Sequence, residues 1–226
     1  MEKPQGWYNG TVDIWHLPGD VRILVDTHFC SDIIEKGKQI AGNYTELARK
    51  IREPLSKRNY PYTILKFKYE NTHKVSLVRK LVEFINLEGL NHEKIHELSS
   101  CGRKREKILN PRMPFNFNSV HGSRLIAAFL FDGCIKAKSL NPNYWNKEKI
   151  LRKRVLEDLR AIFGSIQTKT NIKNFSLDFP KICGLVLVNG IGMIPGNKVV
   201  NNPQIPHFIF NLPEECISAF LQQAFD

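Results

Sequence analysis

Little in this sequence speaks for a scaffold held by covalent cross-links or metal. Only five cysteines are present: Cys30, Cys101, Cys134, Cys183 and Cys216. They are odd in number and far apart, and no CxxC pair occurs, so neither a disulfide framework nor a structural zinc site is indicated. They read instead as small buried apolar side chains in a reducing compartment. Long apolar runs are missing too. No stretch approaches the roughly 20 residues that a bilayer-spanning helix requires, and Met1–Gly10 is polar, unlike the apolar core of a secretory leader. A cytoplasmic protein with no membrane partner is therefore expected. Acidic residues are also the minority charge, with 22 Asp plus Glu against 33 Lys plus Arg and a net charge of +11.

What the sequence does have is material for a core and a surplus of positive charge. Apolar residues make up 42% of the chain, the usual share for a globular protein. A length of 226 residues suits one large domain or two small ones. The positive excess favours a polyanionic partner, of which nucleic acid is the commonest. Residues 1–120 carry 20 basic and 14 acidic residues, and residues 121–226 carry 13 and 8. Both halves could thus face one polyanion, whereas a basic tail on a neutral domain would concentrate the charge.

Residues 1–28 read as strand and loop, with Val21–Val25 the strand and Pro18-Gly19-Asp20 a turn before it. Residues 29–90 read as a helical domain. Ser31-Asp32 can cap a helix carrying Ile33, Ile34, Gly37, Ile40 and Ala41, Gly42-Asn43 breaks it, and Tyr44–Ile51 restarts one. Tyr62–Glu70 fits a short helix or a strand, and Lys74–Leu87 a helix. Residues 91–118 read as a basic linker interrupted by Asn110-Pro111 and Met113-Pro114. Its run Cys101–Arg112 either is solvated or touches phosphate.

From residue 119 to 226 the character changes. Ser119–Phe131 is an apolar helix, for which Gly133 suits a left-handed C-cap. Gly133–Ser139 alternates like a strand. Asn146 can cap a helix to Phe163 with Leu151, Val155, Leu159 and Ile162 on one face and Gly164 at its end. Ser165–Phe179 reads as a strand pair, Ile182–Met193 is ambiguous, and Pro213–Phe225 is a last helix. This order predicts an α+β unit with helices on one face of an antiparallel sheet.

Asp132 is the first residue to carry chemistry. A carboxylate at a helix C-terminus meets the negative end of the helix dipole, and a divalent cation such as Mg²⁺ would relieve that. A cap on the following turn, common for Asp before Gly, is the plainer alternative. Leu125–Gly133 reads Leu-Ile-Ala-Ala-Phe-Leu-Phe-Asp-Gly and resembles the LAGLIDADG motif of homing endonucleases. Leu125 matches its first Leu, Ala127 its small third residue, Asp132 its metal-binding acid and Gly133 its closing Gly. Ile191–Lys198 and Gln204–Ile209 are similar to later segments of archaeal, intein-related members. Ile217–Asp226 is similar to the start of a second motif helix. The resemblance covers residues 110–226 and implies a LAGLIDADG αββαββα-type unit behind a mostly helical domain.

The same resemblance implies duplex DNA as partner, Mg²⁺ or another divalent cation held by Asp132, and phosphodiester hydrolysis. Lys198, in the Pro-Gly-Asn-Lys segment, is the implied cation beside the developing charge, with Lys173 second. The family favours small residues where its motif helices cross, and Phe131 and Gln223 stand at two such positions. Asp226 matches the first Asp of the second motif, two residues before that helix's metal-binding acid would stand. A fragment, a truncated product, or a chain that self-associates or takes the missing acid from a second chain is therefore implied.

Period-two alternation puts Lys136 and Lys138 on one strand face, and Gln167, Lys169, Asn171 and Lys173 on another. These faces either read base edges in the major groove or are ordinary solvated lysines. Upstream, Tyr44–Ile51 with Tyr62–Leu87 resembles a phage-repressor helix-turn-helix. Tyr62–Tyr69 is then the implied recognition helix, offering Thr63, Lys66 and Lys68; a helical packing module without DNA contact is the alternative. Two further functions fit the same features: a transcription regulator that keeps the LAGLIDADG fold without cleavage, and an RNA splicing cofactor.

Overall fold

The computed structural model describes residues 9–87, 92–100, 107–166, 168–171 and 174–226. Helices and antiparallel strands make it an α+β protein. Among the described residues no helix is long and apolar enough to cross a membrane. The chain forms two compact units, Pro18–Cys101 and Met1–Leu17 with Gly102–Asp226. The sequence placed boundaries at residue 28 and across 91–118; that stretch carries three short strands, Ile95–Ser99, Lys107–Leu109 and Phe115–Asn116.

The first strand, β1 (Thr11–Val12), belongs to the larger unit. The smaller unit runs β2 (Arg22–Val25), α1 (Thr27–Ala41), α2 (Tyr44–Lys50), α3 (Tyr62–Tyr69), β3 (Thr72–Lys74), α4 (Val75–Phe84) and β4 (Ile95–Ser99). Strand β2 is central, antiparallel to β3 on one side and β4 on the other. Ile23 opposes His73 and Leu98 across these pairings, and all three are buried. Each such aliphatic side chain, taken fully out of water, stabilises the fold by about 1.5–3 kcal/mol.

Helix α1 starts earlier than Ser31-Asp32. Asp26 caps it, accepting from the amides of His28 at 2.8 Å and Phe29 at 3.2 Å. These bonds hold the Asp26 carboxyl below the usual carboxylate range. The earlier cap brings Cys30 onto the buried stripe with Ile33, Ile34 and Gly37. Tyr62–Glu70, open between helix and strand, is the helix α3. Lys74, expected within a helix, instead ends β3, and α4 follows it directly.

The larger unit continues with β5 (Lys107–Leu109), β6 (Phe115–Asn116), α5 (Val120–Phe131), β7 (Gly133–Ile135), β8 (Pro142–Trp145) and α6 (Lys149–Phe163). Then come β9 (Ser165–Ile166), β10 (Lys169–Asn171), β11 (Ser176–Asp178), α7 (Lys181–Ile191), α8 (Lys198–Asn201) and α9 (Glu214–Phe225). Strands β10, β11, β8 and β7 form an antiparallel sheet in that order, while β1 pairs with β6 and β5 with β9. Helix α5 packs most extensively against α9 and next against α6. The expected stripe of α6 holds, with Leu151, Val155, Leu159 and Ile162 buried and Gly164 closing the helix. The ambiguous 182–193 stretch is mostly helix α7, apolar nearly all round and correspondingly buried.

Two local readings are corrected here. Gly133 is not a left-handed cap: Asp132 is the C-cap of α5 in ordinary right-handed geometry, and Gly133 opens β7. Its requirement is space, since a Cβ there would meet Phe129 Cδ1 at 2.7 Å and the Asn143 carbonyl at 2.9 Å. Strand β7 also stops at Ile135 instead of running to Ser139. The Leu140 amide donates back to the Lys136 carbonyl at 2.8 Å, closing a turn. The Leu140 carbonyl then lies against Gly184 of α7, so close that any Cβ at 184 would overlap it.

Candidate active site

Helix α5 is nucleated by Ser119, whose hydroxyl accepts from the Gly122 amide at 3.1 Å. Leu125 and Ala127 are fully buried in it, and at its far end it delivers Asp132 to the surface. The Asp132 Oδ2 accepts from Asn146 Nδ2 at 3.2 Å and, at a long 3.5 Å, from the Tyr144 hydroxyl. Both partners are neutral. The carboxylate thus meets the negative end of α5, and among the described residues no ion pair joins it to a cation.

Lys198 comes to the same place. Half-buried at the start of α8, it donates from Nζ to the Phe131 carbonyl at 2.8 Å, satisfying one of the open carbonyls of α5. Burial lowers its pKa, while the Cys134 and Asp132 side chains act in the opposite direction. The two residues expected to act together are therefore neighbours. Tyr144 is fully buried, and burial together with the Asp132 charge pushes its phenol up to about 12. Gln223 of α9 approaches the same hydroxyl. It is 1% exposed, and apart from that approach neither its amide nitrogen nor its amide oxygen forms a hydrogen bond of ordinary geometry. At the other anomalous position, Phe131 meets Phe220 of α9 edge to face, with centroids 6.1 Å apart. Asp226, at the end of α9, is paired with Arg154 at 2.5 Å.

The expected basic sheet face is changed by the turn after β7. Lys136 lies beyond the strand and pairs with Asp178 at 3.1 Å, and Asn143 donates to the same carboxylate oxygen at 3.0 Å. Lys138 is exposed within the turn and does not share a strand face with Lys136. Lys169 and Asn171 belong to β10, opposite Asp178 and Ser176 in register. Gln167 and Lys173 lie outside the described residues.

In the smaller unit, Lys68 is committed internally. It donates to Glu35 Oε1 at 2.6 Å and reaches the Tyr44 hydroxyl at 3.2 Å, joining α3 to α1 and α2. Its pKa is raised by Glu35 and Tyr44, and the Glu35 carboxyl is lowered by Lys68 and Tyr44. Thr63 and Lys66 border a cleft beside β2 and β3.

Sequence reasoning missed Tyr144 and the contact from Asn146 to Asp132. The pairing of Gly133 with Tyr144 across β7 and β8 brings them in, and no local pattern announces it. Asp158 was missed too, although its signal was present: it falls on the buried stripe of α6 between Val155 and Ile162. It is wholly buried and accepts from Arg124 Nη2 at 2.6 Å, Arg124 Nε at 3.0 Å and His121 Nδ1 at 2.6 Å. No protein-family model matches this chain, and no curated protein matches it significantly.

Proposed function

We propose that the larger unit is a LAGLIDADG-type module that binds duplex DNA and hydrolyses a phosphodiester bond at Asp132. The observation that carries this reading is the end of α5: a surface carboxylate bonded to Asn146 and Tyr144, both neutral, with the Lys198 ammonium alongside. The close packing of α5 against α9 suits the paired motif helices of that family.

The donors present fit a hard divalent cation in part. Asp132 offers one carboxylate, and Mg²⁺ is commonly held by one or two carboxylates, with phosphate oxygens and water completing its shell. A bound divalent cation supplies charge neutralisation at the phosphate and an acidified water. The chain's own residues then have defined parts. Asp132 would hold the cation, oriented by the amide of Asn146 and the hydroxyl of Tyr144. Lys198, fixed on the Phe131 carbonyl, places positive charge where the phosphate becomes more negative.

A second reading is a DNA-binding regulator of the same fold that does not cut. It is favoured by the end of α5 presenting a single carboxylate, Asp132, whose hydrogen-bond partners Asn146 and Tyr144 are neutral. The deciding experiment incubates the chain with a random duplex library and Mg²⁺, beside Asp132→Asn. Metal-dependent cutting that the substitution abolishes supports the nuclease. Binding by both proteins with cutting by neither supports the regulator.

A further inference from the structure

We propose that the smaller unit carries a phosphate-binding cleft between β2, β3 and α3, distinct from the end of α5. The cleft has a volume of about 350 Å³ and is bordered by Arg22, Lys66 and Lys74 together with the hydroxyls of Thr63, Thr72 and Ser76. That volume lies at the small end of ligand sites and suits a small charged group better than a large apolar one.

The strand register makes the charge placement informative. Arg22 of β2 and Lys74 of β3 are directly opposed in an antiparallel pair. Like charges in that relation destabilise a sheet. On its other side Arg22 faces Ser99, which offers no compensating charge. Both cations are exposed, and no ion pair joins either to an acid among the described residues. The one carboxylate bordering the cleft, Glu53, is held by Lys80 at 2.6 Å. Lys66 has a loose partner in Glu70 at 3.4 Å, outside the lining. His73 also lines the cleft, hydrogen-bonded through Nε2 to the Glu70 carbonyl and stacked on Phe67; burial pushes its pKa down, so it adds no charge near neutral pH.

A tetrahedral anion carrying one or two negative charges resolves this arrangement. Its charge relieves the repulsion between Arg22 and Lys74. The Arg22 fork and the lysine ammoniums give charge-assisted hydrogen bonds, and the hydroxyls give neutral ones. A phosphate group has that shape: a free phosphate or monoester carries close to two negative charges near neutral pH, and a nucleic-acid backbone diester carries one. The second source rests on the DNA-binding reading above; the cleft itself does not.

The test uses the full chain in phosphate-free buffer at neutral pH. Inorganic phosphate is titrated calorimetrically against chloride at matched ionic strength, for wild type, Arg22→Ala and Lys74→Ala. Both side chains are exposed, so each variant is expected to fold, with a melting temperature at or above wild type when phosphate is absent. Saturable phosphate binding by wild type, weakened about tenfold or more in each variant, supports the site. Absence of saturable binding, or equal binding by the variants, overturns it. A random-sequence duplex forms the second arm. Duplex binding that falls in both variants and is competed by phosphate assigns the site to the DNA backbone. Duplex binding unchanged while phosphate affinity falls assigns it to a free ligand. Loss of activity on Asp132→Asn leaves the phosphate titration unchanged, so the two proposals fail separately.

Discussion

Replacing Asp158 by Asn keeps its shape and removes its charge. The carboxylate is fully buried on α6, and two bonds from the Arg124 guanidinium and one from His121 converge on it from α5. The pairing raises the Arg124 pKa. In Asp158→Asn an amide NH₂ is forced toward a guanidinium that can only donate, and a cation with little access to water is left uncompensated. Breaking a buried pair from one side costs about 3–5 kcal/mol. Arg124 keeps 21% side-chain exposure and can recruit some water, which favours the lower end, about 3 kcal/mol. For a unit of this size the melting temperature should fall by roughly 6–12 °C. The assay is urea unfolding followed by circular dichroism, with Asp158→Leu, Arg124→Met and the double variant Arg124→Met with Asp158→Leu forming a separate closed cycle. Apolar replacement of both partners should recover most of the loss, because buried pairs and well-packed apolar pairs are often near parity. His121 is half-exposed and can be hydrated in the double variant. Stability of Asp158→Asn within about 0.5 kcal/mol of wild type, or a strictly additive cycle, would refute this reasoning.

Three other predictions concern single positions. Burial pushes the His73 pKa down from 6.5 to about 4, so below pH 6.5 the unfolded chain takes up a proton that the folded chain refuses. Stability of the smaller unit should fall by about 1.4 kcal/mol per pH unit from 6.5 towards 4 and level off below. His73→Phe should flatten that slope in urea titrations, and an unchanged slope would count against it. Gln223→Met, which removes two unpartnered buried polar atoms, should raise stability by about 1 kcal/mol or more; a destabilised variant would mean that the amide is satisfied in solution. Gly184→Ala places a Cβ 1.8 Å from the Leu140 carbonyl and should lower stability by about 1–3 kcal/mol or more, and tolerance of the methyl would place α7 further from that turn.

The helices of the larger unit were the most legible part of the sequence, because each carries its own evidence. Ser119 and the apolar run define α5, and the stripe from Leu151 to Ile162 defines α6. Where tertiary contacts decide, the sequence misleads. The alternation Lys136, Lys138 continues past the end of β7, but the chain turns there, with the Leu140 amide bonded back to the Lys136 carbonyl and the Leu140 carbonyl against Gly184 of α7. Two capping sites compete ahead of α1, and Asp26 wins because β2 ends immediately before it. At the candidate site Asp132 and Lys198 were both anticipated, and they meet at the carbonyl end of α5. Tyr144 depends on cross-strand register, as does the opposition of Arg22 and Lys74. Register of that kind is set by long-range pairing and leaves no local pattern to read.

The central claim is that Asp132 holds a divalent cation against bound duplex. It is tested most directly by titrating Mn²⁺ into the chain with an uncleaved duplex and counting bound ion by electron paramagnetic resonance. The account predicts duplex-dependent Mn²⁺ binding by wild type, and its loss in Asp132→Asn while affinity for the duplex itself persists. Equal Mn²⁺ binding by the two proteins, or no binding of duplex by either, would contradict it.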